Sequence, residues 1–234
     1  MERQQLTADM TALRRTIAWM GELVLERLSL AARALVERDA ELAHLVIKRD
    51  SEIDDLQMQV DQRAMLLLAL QNPEAGDLRF VLAAIKANAD LERLGDLAVN
   101  IAESAVRTMH ETPLPQLNLV DTMSQRALGM VRDALTAFID RDAAVAREVL
   151  RQDDEVDAMK GQVQRLVMEQ MAADPATIER GIELVIVSRN VERIADHATN
   201  MAEDAIFLVE ARDVRHHHGM GGTPPNEPDP AAQS

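Results

Sequence analysis

Two stretches of the sequence, one hundred residues apart, place acidic and amide side chains at the same spacing. Residues 91–103 read LERLGDLAVNIAE and residues 191–203 read VERIADHATNMAE, with seven identities in the twelve positions that start at 92 and 192. Because an α-helix turns about 100° per residue, the polar side chains of each copy fall within roughly 80°, opposite the apolar ones. Oxygen ligands grouped on one face can bind a cation. The candidates are Glu92, Asp96 and Asn100 in the first copy and Glu192, Asp196 and Asn200 in the second.

A second kind of acidic pair is repeated on the helical stretch that precedes each copy. Asp50 and Asp54 match Asp153 and Asp157 at an offset of 103 residues. About seven pairs with this spacing are expected by chance in so acidic a chain, so the repetition in register carries the information. Like charges four residues apart destabilise an isolated helix by a few tenths of a kcal/mol. Their recurrence therefore suggests a counter-ion.

Each half can then bring four carboxylates from two helices together. The two sets are Asp50, Asp54, Glu92 and Asp96 in the first half and Asp153, Asp157, Glu192 and Asp196 in the second. All-oxygen sets favour hard cations such as Mg²⁺, Ca²⁺, Mn²⁺ or iron, and zinc also binds carboxylates. The alternative is that the acids solvate a helix face and pair with Arg93 and Arg193. Spacing does not decide between the two interpretations.

The elements that position these residues are predicted to be six helices. Apolar residues recur every three or four positions from Leu6 to about Val36, and again from an N-cap at Asp39 to about Gln71. Asn72 and the following proline then start a third helix that runs to about Glu111. The segment 112–115, Thr-Pro-Leu-Pro, ends the first half, and the same order recurs after it.

The pattern predicts an all-α fold of two tandem three-helix bundles, one per repeat. The predicted boundaries are 1–112 for the first repeat, 116–213 for the second and 214–234 for a disordered tail rich in Gly, Pro and His. The tail contains His216, His217 and His218, which are expected to be solvated rather than part of a site.

Composition excludes several classes of protein. The chain has 25 basic and 40 acidic residues and a net charge of −15, which argues against a nucleic-acid partner. It has no cysteine, so disulfides and thiolate chemistry are absent. No apolar run approaches the length of a membrane span, and the start shows no signal-peptide pattern. We therefore expect a cytoplasmic protein without direct membrane insertion, although association with a membrane through a protein partner stays open.

No catalytic arrangement is evident, and we expect that the chain is not an enzyme. The single Glu-x-x-His segment, Glu41 to His44, has no counterpart in the second half, as a ferritin-like di-iron site would need. Phosphate-binding loops, dinucleotide-binding glycines and hydrolase motifs are absent from the sequence. His197, which replaces Leu97 of the first copy, is predicted to be a hydrogen-bonded boundary residue.

The repeated Glu-Arg-x-x-Asp-x-Ala-x-Asn-x-Ala-Glu resembles the PhoU family, accessory regulators of phosphate-specific ABC transport. The likeness covers about residues 5–210 and includes the family's E(D)xxxD motif, here residues 92–96 and 192–196. The resemblance implies a cytoplasmic adaptor, commonly a homodimer, that represses the phosphate-starvation response by linking the ATPase subunit of the transporter to the phosphate-sensing histidine kinase. It also implies E(D)xxxD faces that bind Fe, Zn, Mn or Mg, with the aspartate pairs of the preceding helices as partner ligands. Differences between the copies, such as Gly95 against Ala195, suggest unequal metal occupancy.

Two other functions compete with this one. The chain could be a metal-independent helical scaffold, for instance a phosphate-permease accessory protein, or a carboxylate-bridged metalloenzyme. A scaffold would show no stability change with a chelator, whereas a metal that binds the native state raises its stability.

Overall fold

The computed structural model describes residues 2–71, 73–212 and 214, and all the regular secondary structure in these residues is helical. The predicted all-α fold is confirmed. Asn72, predicted to be an N-cap, and the predicted tail, apart from Val214, lie outside the described residues. The helices are α1 (Glu2–Glu37), α2 (Ala40–Lys48), α3 (Ser51–Leu70), α4 (Ala75–Thr108), α5 (Leu117–Asp140), α6 (Ala143–Ala173) and α7 (Ile178–Glu210).

The second of the six predicted helices is interrupted at Arg49 and Asp50, which separates α2 from α3. The Arg49 amide bonds to the Val46 carbonyl at 3.2 Å, and the Ile53 amide bonds to the Asp50 carbonyl at 3.0 Å. These bonds span three residues instead of four, so the chain tightens locally and the α-helix is interrupted. The equivalent helix of the second half, α6, is continuous. Asp50 therefore lies at a helix start, whereas its counterpart Asp153 lies inside a helix.

The turns that open the second helix of each half have the same structure. Asp39 accepts hydrogen bonds from two backbone amides of the first turn of α2, as predicted, and Asp142 does the same for α6. The residues just before them, Arg38 and Arg141, adopt left-handed backbone conformations with φ of 59° and 57°. A left-handed residue ends one helix and a carboxylate starts the next. The repeated Arg-Asp pair thus encodes a sharp helical hairpin.

Two long helices, α4 of the first half and α7 of the second, pack against each other in opposite directions at the centre of the molecule. Lys86 of α4 pairs with Asp204 of α7 at 3.0 Å, and Arg107 pairs with Glu183 at 2.8 Å, at the other end of the contact. The buried side chains form one continuous core that includes residues of both halves and consists mainly of Leu, Ile, Val, Met and Ala. The scarcity of aromatic residues favours close helix packing of this kind.

None of the helices in the described residues is long and apolar enough to cross a membrane. Their apolar side chains instead follow stripes that face the core, with charged residues on the outer surface.

Candidate functional site: two carboxylate clusters

The first cluster forms where α3 and α4 pack against each other. Ile53 of α3 is buried against Gly95 of α4, and the two helices run in opposite directions. Asp54 follows Ile53 directly, and Asp50 lies one helical turn before it. In the same way, Asp96 follows Gly95 and Glu92 lies one turn before it. Because the two apolar residues touch, the acidic residues beside them meet at the edge of the same contact. The four residues of this set are hereafter the first cluster.

The electrostatics confirm that the members of the first cluster are neighbours. Burial raises the pKa of Asp50, and the charges of Asp54 and Asp96 raise it further. Burial also raises the pKa of Glu92, with further repulsion from Asp96 and the α3 pair partly offset by Arg93. Carboxylates of the two helices therefore act on one another.

The second cluster, made of Asp153, Asp157, Glu192 and Asp196, forms in the same way between α6 and α7. Burial and the charges of Asp196 and Asp157 raise the pKa of Asp153 to about 6. Burial and the charges of Glu192 and Asp157 raise the pKa of Asp196 as well. The structure thus brings together both sets of four carboxylates that the sequence spacing groups.

The basic partners of the two clusters differ. In the first cluster, Arg93 contacts Asp96 at 3.2 Å and Glu92 at 3.5 Å, as the solvated-face interpretation expects. In the second cluster, the partner is Lys160 of α6, whose ammonium lies 2.7 Å from Glu192 and 3.1 Å from Asp157. Sequence reasoning missed Lys160, although its position three residues after an acidic pair member was visible.

Two further arginines hold acidic residues beside the clusters. Arg27 of α1, which is 2% exposed, contacts Glu52 at 2.6 Å, and Arg126 of α5 contacts Glu155 at 2.7 Å. Glu52 and Glu155 occupy equivalent positions, but their arginines lie one helical turn apart in the two halves. These ion pairs tie the first helix of each half to the helix that carries the aspartate pair.

The predicted amide ligands lie at the margin of the clusters. Asn100 is exposed on α4. Asn200 donates from Nδ2 to Oδ1 of Asp90 across the contact between α4 and α7, at 3.3 Å. His197, predicted to be hydrogen-bonded, contacts the same Asp90 oxygen through Nδ1 at 2.8 Å. The structure thus directs Asn200 toward Asp90 of the other half.

The donor atoms suit a hard cation, but the side chains are not arranged around one. Within residues 2–71, 73–212 and 214, no group of three or more Asp, Glu or His side chains has the geometry of a metal site. Arg93 and Lys160 instead contact carboxylates of the first and second clusters. Surface side chains change rotamer at little cost, so carboxylates of one cluster can rearrange around an ion. Their oxygen donors fit Mg²⁺, Mn²⁺, Fe or Zn²⁺ better than soft metals.

Comparison with known proteins gives matches along most of the chain. A family model described as "PhoU domain" matches residues 17–105 and again residues 120–205. A relative from Aquifex aeolicus, named phosphate-specific transport system accessory protein PhoU homolog, is 40% identical over 85% of this chain and 90% of its own length. A relative of the same name from Caulobacter vibrioides is 35% identical over 91% of this chain and 90% of its own length.

Solved structures match the fold as well. The crystal structure of PhoU from Pseudomonas aeruginosa has a TM-score of 0.86 and 33% identity, and it covers 88% of this chain and 99% of its own. That of the phosphate transport system regulatory protein PhoU from Streptococcus pneumoniae has a TM-score of 0.83 and 28% identity over 89% and 99%. The likeness therefore extends over both carboxylate clusters.

Proposed function

This chain belongs to the PhoU family, and we propose from that premise that it is an accessory protein of phosphate-specific transport that represses phosphate uptake and phosphate-starvation signalling. It acts in the cytoplasm as an adaptor, and it links the ATPase subunit of the phosphate ABC transporter to the phosphate-sensing histidine kinase. The observation that carries the proposal is the match of one family model in both halves, together with relatives named as accessory proteins along nearly the whole chain.

An adaptor needs surfaces for its partners, and the two halves expose large apolar side chains at equivalent positions. Leu78 and Leu82 of α4 are 38% and 44% exposed, and Ile178 and Ile182 of α7 are 42% and 49% exposed. Repeated apolar residues on a surface are typical of protein contacts. They support a binding role for the chain over a purely solvated one.

A non-catalytic role also agrees with the state of two serines, Ser104 and Ser188. Ser188 is buried, and its Oγ donates to the Val185 carbonyl at 2.8 Å. Ser104 is buried, and its Oγ accepts from Arg107 at 2.9 Å. Both hydroxyls serve local helix bonding, and a nucleophile would need an adjacent base instead.

We further propose that the carboxylate clusters bind metal ions, with Fe, Mn, Zn and Mg as the candidates. Such an ion would supply positive charge where four carboxylates now repel one another. The resident carboxylates would hold the ion, and on the first cluster Arg93 would move into solvent, since its side chain is already 58% exposed. An ion bound at the surface in this way would exchange with free metal ions in the cell.

The regulatory role is tested by deletion of the gene in its own bacterium. Phosphate-scavenging functions should then be expressed in phosphate-rich medium, and the intact gene on a plasmid should restore repression. Unchanged expression after deletion would contradict the proposal. Purified protein should pull down both the transporter's ATPase subunit and the kinase, and sedimentation equilibrium should give the mass of a homodimer.

The metal claim is tested by elemental analysis of tag-free protein. Asp96→Asn and Asp196→Asn together should remove most of the bound metal. Glu169→Gln serves as the matched control because Glu169 is an exposed acid on α6 that belongs to neither cluster. Protein that contains no metal and takes up none on titration would refute metal binding while leaving the adaptor role intact.

A metal-independent scaffold remains the competing function, and one observation favours it. The described residues show no ready-made metal geometry, and basic side chains already contact both clusters. A scaffold would unfold at the same temperature with and without a chelator. A metal-binding chain would lose stability in the chelator by linkage.

A further inference from the structure

Lys160 occupies the second cluster as an internal cation. Its ammonium bridges Glu192 of α7 and Asp157 of its own helix at 2.7 and 3.1 Å. The lysine side chain and the Glu192 side chain are each only 24% exposed, so the contact is partly shielded from solvent. A cation at this point offsets the repulsion between the carboxylates. A bound metal ion would have the same effect.

The first half has no cation at the equivalent position. The offset of 103 residues that aligns Asp54 with Asp157 aligns Gln57 with Lys160. Glutamine is neutral, and the Gln57 backbone carbonyl accepts from Asn88 of α4 at 3.1 Å. Arg93 contacts the first cluster, but it lies on the same helix as both of its acidic partners and does not bridge α3 and α4.

The difference between the two basic partners matters for any incoming ion. Arg93 is 58% exposed, and exposed ion pairs contribute little, so an ion can displace it readily. Lys160 joins two helices in a half-buried setting, and an ion that enters there must first expel a tethered ammonium. Because Lys160 is part of the chain, its ammonium also loses no translational entropy when it contacts the carboxylates, whereas a free ion does.

We propose that Lys160 is a built-in counter-ion that excludes metal from the second cluster, so that the chain binds metal through the first cluster alone. This inference rests on the proposed metal binding of the chain, which it restricts to the first cluster. The two halves then have different functions, because the first cluster binds metal and Lys160 excludes metal from the second cluster.

The experiment measures bound Mn²⁺ per chain by equilibrium dialysis of the metal-free full-length protein. Mn²⁺ alone is the probe because carboxylates suit it and the tail histidines are common to all variants. In the wild type, Asp96→Asn should abolish the binding, whereas Asp196→Asn should leave it unchanged. Lys160→Gln should about double the bound Mn²⁺, and the gain should vanish when Asp196→Asn is added to it.

Matched variants separate charge from packing. Lys160→Arg keeps the positive charge and should keep the second cluster closed. Gln57→Lys should close the first cluster and lower the binding of the wild type severalfold. Lys48→Gln removes an exposed lysine of α2 and should change nothing. The melting temperature of each variant, measured without metal, reports whether it is folded.

The outcomes distinguish this inference from the function on which it rests. Wild-type binding that depends on Asp96, with no gain in Lys160→Gln, would overturn the role of Lys160 and leave metal binding standing. Binding that falls equally with Asp96→Asn and Asp196→Asn would also overturn it. No binding in the wild type but binding in Lys160→Gln would support exclusion by Lys160 and refute metal binding by the first cluster. No binding in any variant would refute both.

Discussion

The packing of Gly95 against Ile53 sets the separation of α3 and α4 and leads to a quantitative prediction. A Cβ atom added at Gly95 would lie 2.9 Å from Cδ1 of Ile53 and 3.3 Å from its Cγ2. In the second half, the equivalent positions are occupied by a different pair of residues, Ala195 and Val156, and both are fully buried. An extra methyl on one helix is matched there by a missing methyl on the other. We therefore expect Gly95→Ala to need Ile53→Val.

The expected energies follow from two opposing effects. Alanine is favoured over glycine inside a helix by about 1 kcal/mol. Overpacking of a filled core costs about 1 to 3 kcal/mol. Gly95→Ala should therefore destabilise the chain by about 1 kcal/mol in spite of the better helix former. Ile53→Val alone should cost about 1 kcal/mol for the lost methylene.

The double variant should regain most of this loss, since the new Cβ fills the space that Cδ1 leaves. The coupling between the two substitutions should then be about −2 kcal/mol, which is well above the error of a double-mutant cycle. The assay is urea unfolding followed by circular dichroism, in the presence of a chelator so that metal binding does not contribute. Gly129→Ala is the control, because a Cβ at Gly129 of α5 has no neighbour within 4 Å. It should stabilise the chain by about 1 kcal/mol.

Two results would refute this reasoning. Gly95→Ala could stabilise the chain as much as Gly129→Ala does, which would mean that Ile53 moves aside at no cost. The effects of Gly95→Ala and Ile53→Val could also simply add, which would mean that the two side chains do not compete for space. Either result would remove the explanation for the glycine in the middle of the first motif.

Three further predictions concern the charged residues. The pKa of Asp153 is raised from 3.8 to about 6, so the protonated form of Asp153 stabilises the folded state. This stabilisation is present at pH 4 and is lost as the pH rises through 6. Asp153→Asn should thus raise the free energy of unfolding at pH 8 by about 1 to 2 kcal/mol after screening and change it little at pH 4, while Glu169→Gln shows no such pH dependence in the same urea titrations. Asp142→Ala removes the cap of α6 and should cost about 1 kcal/mol by thermal unfolding, a loss that Asp142→Asn should largely avoid. Arg27→Ala should lower the free energy of unfolding by about 2 to 4 kcal/mol, because the buried stem of Arg27 packs in the core. Arg27→Met should recover most of that loss, since it restores the packing and Glu52 remains hydrated. Equal losses in the two variants would show that the ion pair matters more than packing.

Much of the fold could be predicted because its signals are local. The helical periodicity, the proline breaks and the Asp39 cap each depend on a few neighbouring residues, and the structure has helices where these signals place them. The interruption at Arg49 and Asp50 could not be predicted in this way. No proline or glycine marks it, and both flanking segments are good helix formers, so the interruption follows from how α2 and α3 pack on the other helices.

The carboxylate clusters show the same division. Their members could be found because the repeat shows the same acids twice in register. The contact of Arg93 could also be predicted, because Arg93 lies on the same helix as the acids that it contacts. Lys160 could not, since it is one of many basic residues and only packing decides which ammonium reaches an acid on another helix. The partner of Glu52 illustrates this well: Arg27 and Arg126 do the same task from positions that differ by a full turn.

The sequence alone therefore determined which residue types are repeated, that they lie on helices and which family they indicate. Those properties follow from side-chain chemistry and from the 3.6-residue turn, which need no knowledge of distant contacts. The tertiary structure alone decided that α4 and α7 form a shared centre, that Asn200 turns toward Asp90, and that one cluster contains a lysine while the other does not. Such features depend on distances between residues far apart in the chain, and a single sequence does not specify those distances.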